Sequence, residues 1–143
     1  MGIISSASGS SCWRGLDYYK NKKVKNIKKI NEVEYTGLVS GSKDYNVYLN
    51  LDKTSKSTCD CPLAKGKRII CKHIVATYFS IVPNSAKDFE DEQNKLQEEY
   101  EESVEKEYQN VIKHLNKMSK RELIEEIVYI FDYAPEWIYD DFV

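Results

Sequence analysis

Hydrophobic and polar side chains alternate with a period of two in the first half of the chain. Residues 33–40 and 45–51 place hydrophobic side chains at nearly every second position, which is typical of strands with one buried face. The four residues between them, 41–44, are turn formers, so the pattern predicts a β-hairpin. Residues 20–30 interleave lysines with apolar side chains and predict a further short strand with a solvated basic face.

Hydrophobic side chains at helical spacing predict three helices in the second half. Residues 73–82 are apolar on two adjacent faces, which predicts a mostly buried helix that ends at Pro83. Residues 86–118 carry a narrow apolar stripe and many carboxylates, which predicts a long acidic amphipathic helix. Ser119 with Glu122 three residues later is a capping box, and it predicts another helix with a wide apolar face.

These patterns divide the 143-residue chain into three parts. Residues 1–12 are rich in Ser, Gly and Ala and predict a flexible, disordered tail. Residues 13–84 contain the strands and the first helix, and residues 85–143 form an acidic helical extension. We therefore predict an α+β fold, in which a small β-hairpin or sheet and a helix form a ββα-like module before the C-terminal helices. Residues 137–142 are expected to form a last short helical turn.

Metal-ligating residues are concentrated in one short stretch. Three of the four cysteines and one of the two histidines lie in residues 59–73, as Cys-Asp-Cys and then Cys-Lys-His. Disulfides are the alternative use of four cysteines, but this clustering and the absence of an export signal favour metal ligation. Thiolates and imidazole are the ligands that Zn²⁺ prefers, and four protein ligands leave no open coordination position. The pattern predicts one structural Zn²⁺ held by Cys59, Cys61, Cys71 and His73. Cys12 lies far from this cluster and is expected to be a free thiol.

The ligand spacing, with Pro62 after the first pair and the run CKHIVA at 71–76, resembles the SWIM-type zinc finger. The resemblance covers about residues 13–82 and includes the run RGLDYY at 14–19. It implies that the four residues are zinc ligands and that the module binds DNA or proteins, commonly beside helicase-type ATPases or transposases. The acidic C-terminal part is similar to the helical extension of bacterial SWIM-containing proteins.

The formal net charge of −2 conceals a division of charge along the chain. Residues 1–85 carry 14 Lys and Arg against 6 Asp and Glu, whereas residues 86–143 carry 7 against 17. A basic half is the electrostatic footprint of nucleic-acid binding, although cations near the metal also offset the negative charge of a three-thiolate zinc site. Tyr18, Tyr19 and Tyr48 lie close to lysines and are candidate stacking residues. The leading prediction is DNA binding, with contacts from Lys22, Lys23, Lys25, Lys28, Lys29, Lys65, Lys67, Arg68 and Lys72.

The alternative function is that of a protein-interaction adaptor that docks through the acidic amphipathic helices, with a helicase-type ATPase as one candidate partner. Enzymatic activity is not expected, because Cys71 and His73 are committed to the metal. The sequence contains no phosphate-binding loop, so any ATPase is expected to be a separate protein or a missing portion. No apolar run approaches the roughly 20 residues that span a bilayer, so no membrane association is expected. The expected location is the cytoplasm, or the nucleus in a eukaryote.

Overall fold

A computed structural model describes residues 2–135 and Ile138, so Trp137 and Phe142 of the expected last turn lie outside the described residues. The chain forms two compact units, Met1–Glu92 and Gln93–Val143. The division between these units falls within a helix, and the domain boundary after residue 84 stays a prediction from the sequence. In chain order the elements are α1 (Ile3–Ser6), α2 (Gly9–Lys20), β1 (Val24–Lys29), β2 (Glu34–Ser40), β3 (Asp44–Asn50), a 3-10 turn (Thr54–Lys56), β4 (Thr58–Cys59), α3 (Lys72–Ile81), α4 (Pro83–Leu115) and α5 (Lys120–Tyr133).

Four antiparallel strands form one sheet in the order β1-β2-β3-β4, and the fold is α+β as predicted. The expected hairpin is β2 and β3, whose register begins with Ser40 opposite Asp44. Val39, Val47 and Leu49 point to the buried face, which agrees with their alternation in the sequence.

The edge strand β1 is present where the lysine-rich pattern predicted a strand. Its register with β2 shifts between Lys25 and Lys28, where Asn26 has a φ of 51°. Such a bulge interrupts the alternation of faces along β1, and Ile27 next to it is 40% exposed. The lysines of β1 lie exposed along this edge.

The N-terminal segment differs from the disordered tail expected for residues 1–12. Residues 3–6 and 9–12 are helical, and the side chains of Ile3 and Cys12 are each only 2% exposed. Ser8 caps α2 by accepting a hydrogen bond from the backbone N–H of Ser11. Burial of two apolar side chains and one helix cap therefore order a segment whose average composition is polar.

The core of the first unit lies between the sheet and α3, with α2 packed against α3. Ile74, Val75 and Phe79 of α3 are fully buried, which confirms the predicted buried helix. Pro83 follows the end of α3 and is also the first residue of α4. Proline suits that position, since the first N–H of a helix has no intrahelical partner. Near the start of α4, Phe89 packs edge-on against Trp13 of α2, with ring centroids 5.4 Å apart.

The second unit contains the rest of α4 and the whole of α5. The capping box of α5 is confirmed: the Ser119 hydroxyl accepts from the Glu122 N–H, and the Glu122 carboxylate accepts from the Ser119 N–H. Many apolar side chains of both helices remain exposed, among them Leu96, Tyr100, Val104, Tyr108, Val111, Ile124, Ile127 and Val128. Among the described residues, no helix has the length and hydrophobicity that crossing a membrane requires.

Candidate metal centre

Two elements bring the four predicted ligands together. Cys59 is the last residue of β4 and pairs with Val47 of β3, and Cys61 follows two positions later. Cys71 is the N-cap of α3, and His73 lies in the first turn of that helix. All four side chains are buried, and their ligand atoms lie within 4.8 Å of one another.

The distances fit one tetrahedral zinc ion. His73 presents Nδ1 to the sulfurs, 3.7 Å from Cys59 Sγ and 3.9 Å from Cys71 Sγ. Zinc bonds of about 2.3 Å to sulfur and about 2.1 Å to nitrogen place the ligand atoms of a tetrahedron about 3.6 Å apart. Three thiolates and a neutral imidazole suit Zn²⁺, which would supply a structural cross-link between β4 and α3.

The burial and mutual contact of the thiols favour a bound cation. A hydrogen bond between Cys59 and Cys71 raises the pKa of Cys59 and lowers the pKa of Cys71 to about 4. Burial opposes ionisation of both thiols, and nearby thiolates repel each other. A divalent cation removes this conflict because it allows all three thiols to ionise together.

Asp60 holds the first ligand pair against the sheet. Its two carboxylate oxygens accept hydrogen bonds of 2.9 Å from the backbone N–H and the side-chain amide of Asn46 on β3. Its own N–H donates to the Asn46 carbonyl at 3.2 Å. These bonds turn the Asp60 side chain outward, so that Cys59 and Cys61 face the same ion.

Aromatic side chains fix the imidazole of His73. Tyr45 stacks on it with ring centroids 4.7 Å apart and an interplanar angle of 25°, and Tyr18 meets it edge-on at 5.4 Å. Thr77 Oγ1 donates to the His73 carbonyl one helical turn later. No sequence pattern indicates these supporting roles, because they depend on how β3 and α2 pack around α3.

The predicted nucleic-acid contacts fall into three places on the first unit. Lys22, Lys23 and the lysines of β1 follow α2; Lys65, Lys67 and Arg68 lie exposed in the loop between the ligand pairs; and Lys72 begins α3. The ammonium groups of Lys23 and Lys72 both lie over the ring of Tyr18, at 4.9 Å and 4.5 Å from its centroid. The structure thus brings one lysine of the N-terminal set beside the lysine of the metal site. Among the predicted nucleic-acid contacts, Lys29 forms an ion pair with Glu32, and the described part of the structure contains no other ion pair of these residues.

The remaining candidates have structural partners. Tyr19 packs near Phe79, and the Tyr48 hydroxyl donates to Glu34, which raises the pKa of Tyr48 and lowers that of Glu34. Cys12 is a free thiol, as expected, and burial raises its pKa.

Comparison with known proteins identifies one part of the chain. Residues 45–81 match the family model of the SWIM zinc finger, a span that runs from β3 to the end of α3 and includes all four ligands. No curated protein and no solved structure matches the chain.

Proposed function

Because residues 45–81 are a SWIM zinc finger, we propose that this chain is a zinc-stabilised module that binds nucleic acid, DNA in the first place, through its basic half. The proposed role is binding and not catalysis, since four protein ligands leave the metal no open position. The zinc holds β4 and α3 together, and the cations around it contact phosphates.

One observation carries this proposal: Lys23 and Lys72 converge on Tyr18 beside the metal centre. These lysines are distant in sequence, so their convergence makes one basic surface from two separate lysine sets. Tyr18 also contacts the imidazole of His73, which links that surface to the zinc ligands.

The exposed lysines of β1 also support nucleic-acid binding. Lys25 and Lys28 are exposed on the edge strand, and neither forms an ion pair within the described residues. Unpaired surface cations are free to displace the counterions that surround nucleic acid, and this release makes binding depend on salt.

The test is a titration of a labelled duplex and a single strand of equal length at two salt concentrations. We expect the affinity to fall as the salt concentration rises. In a plot of log affinity against log salt concentration, each duplex phosphate contacted should contribute about −0.9 to the slope. The double variant Lys23→Gln/Lys72→Gln should bind more weakly and with a smaller salt slope, because two cations near Tyr18 are removed. The matched control Lys53→Gln/Lys56→Gln changes two exposed lysines outside the proposed contact set.

Different results would contradict nucleic-acid binding as such and the specific role of the Tyr18 surface. Binding without salt dependence, or no binding by the zinc-loaded protein, would contradict the proposal. Equal weakening in the two double variants would show that net charge alone matters and that the Tyr18 surface has no special role.

A second candidate function rests on the exposed apolar side chains of the second unit. Leu96, Tyr100 and Val104 follow one another along α4 at intervals of four residues, and each is about half exposed or more. Such a stripe is typical of a helix that pairs with another helix, which favours a protein-interaction adaptor. Capture of a protein partner that fails only when these three residues are made polar would support this alternative.

A further inference from the structure

A cavity of about 450 Å³ lies beside the zinc ligands, within the size range of small-molecule sites. Its wall includes the start of α2, the first residues of α3 and Tyr18 and Tyr45, the two aromatic residues that pack on His73. Three of the ligands, Cys61, Cys71 and His73, also line it, but the volume far exceeds that of one metal ion.

The charged side chains of the wall are cationic. Arg14 and Lys72 line the cavity, and its wall contains no carboxylate among the described residues. Arg14 is exposed and, in the described part of the chain, forms no ion pair. A zinc ion with three thiolates carries one negative charge, so these two cations leave the surroundings of the cavity positive.

The wall also contains a buried group that lacks a partner. His73 is 4% exposed, and its Nε2 is the one buried side-chain nitrogen or oxygen without a hydrogen-bond partner among the described residues. Nδ1 faces the sulfurs, so Nε2 is the ring nitrogen directed away from the metal cluster. Metal-binding histidines normally donate a hydrogen bond from that second nitrogen to an oxygen atom, so an oxygen-bearing occupant would complete the site.

The first turn of α2 adds further donors. Ser8 and Ser10 line the cavity at this end of a 12-residue helix. Ser8 accepts from the Ser11 N–H, whereas the N–H groups of the first helical residues, Gly9 and Ser10, have no intrahelical partner. A helix N-terminus with free N–H groups favours an anion.

We propose that this cavity is an oxyanion site that holds one backbone phosphate of the bound nucleic acid, with Arg14 and Lys72 as its charged donors. This inference rests on the proposed function and names the site at which the protein binds one phosphate of the nucleic acid. A guanidinium can donate two parallel hydrogen bonds to one phosphate, so Arg14 contributes direction as well as charge.

The first experiment uses inorganic phosphate as the probe and the zinc-loaded full chain. Added phosphate should cause saturable shifts of the His73 ring nitrogens and of the Gly9 and Ser10 amides in nitrogen NMR spectra. Sodium chloride at the same ionic strength should not cause these shifts. Arg14→Gln should bind phosphate about tenfold more weakly, and Arg14→Lys should restore part of the loss. Lys53→Gln is the matched control and should bind as the wild type does. Shifts that do not saturate, or that persist unchanged in Arg14→Gln, would overturn the proposal.

The second experiment titrates the same variants with the labelled duplex, after their zinc content and circular dichroism have been shown to match the wild type. The proposal predicts weaker binding by Arg14→Gln, a salt slope smaller by about one, and competition by inorganic phosphate. Equal binding by Arg14→Gln and the wild type would overturn the cavity site and leave the proposed function standing. Absence of duplex and single-strand binding by every protein would overturn both, even if inorganic phosphate still entered the cavity.

Discussion

Gly15 sets the distance between α2 and α3. A Cβ atom at this position would lie 2.5 Å from Val75 Cγ1 and 2.6 Å from Val75 Cβ, closer than side-chain atoms pack. The absence of a side chain lets α2 approach α3, and this approach brings Tyr18 to the imidazole of His73. One small residue therefore helps to position the support of a zinc ligand.

The substitution Gly15→Ala should lower the free energy of unfolding of the zinc-loaded protein by about 1–3 kcal/mol, because the added methyl group overpacks the helix contact. Gly9→Ala is the matched control, since a Cβ there meets nothing within 4 Å and alanine favours a helix. Urea unfolding of both variants measures the difference. Equal free energies for the two variants would contradict the close contact.

At this scale the sequence predicts ligands better than it predicts their supports. Cysteine and histidine are rare in this chain, and four of them lie close together, so the metal site is visible without a structure. Asp60 and Tyr45 support the site through strand pairing and ring stacking. Many surface carboxylates and tyrosines share their local sequence features. The pairing of β3 with β4 distinguishes Asp60, and the packing of β3 on α3 distinguishes Tyr45.

Among the elements, α5 shows how a local motif determines where a helix begins. Ser119 and Glu122 exchange hydrogen bonds at its first turn, and the bond from the Ser119 N–H lowers the pKa of Glu122. Since this folded-state pKa lies below the ordinary value, the stabilisation is present at neutral pH and is lost as the pH falls through that pKa.

Ser119→Ala should destabilise α5 by about 1 kcal/mol, because the first turn loses a hydrogen-bond acceptor. Ser103→Ala provides the control, since Ser103 is exposed inside α4, where alanine is the better helix former. Thermal unfolding followed by helical circular dichroism compares the two variants. A Ser119→Ala protein that melts no lower than Ser103→Ala would show that the capping box contributes nothing.

The elements that the sequence predicts well have a strong local period or a cap. The hairpin, α3 and α5 belong to this group, whereas the composition of residues 1–12 predicts a disordered tail where α2 begins. The buried face of α2 consists of Ser11, Cys12, Gly15 and Leu16, a set too small and too polar to show an apolar stripe. Only its contact with α3 makes that face recognisable.

For the whole molecule, the zinc centre is the point where distant segments meet. It joins β4 to the first turn of α3, and α2 packs on the same histidine through Tyr18. Most of the energy of binding zinc is therefore energy of folding for the unit Met1–Glu92. The proposed basic surface around Tyr18 exists only while that unit is folded.

The most direct test measures zinc content and thermal unfolding together, for the wild type and for Cys59→Ser and Cys12→Ser. Cys12 is the matched control, because it is buried and free but is not a ligand. We predict one zinc ion per chain in the wild type and in Cys12→Ser, and loss of both the zinc and the cooperative transition of the first unit in Cys59→Ser. A Cys59→Ser protein that keeps one zinc ion per chain and melts as the wild type does would contradict the account.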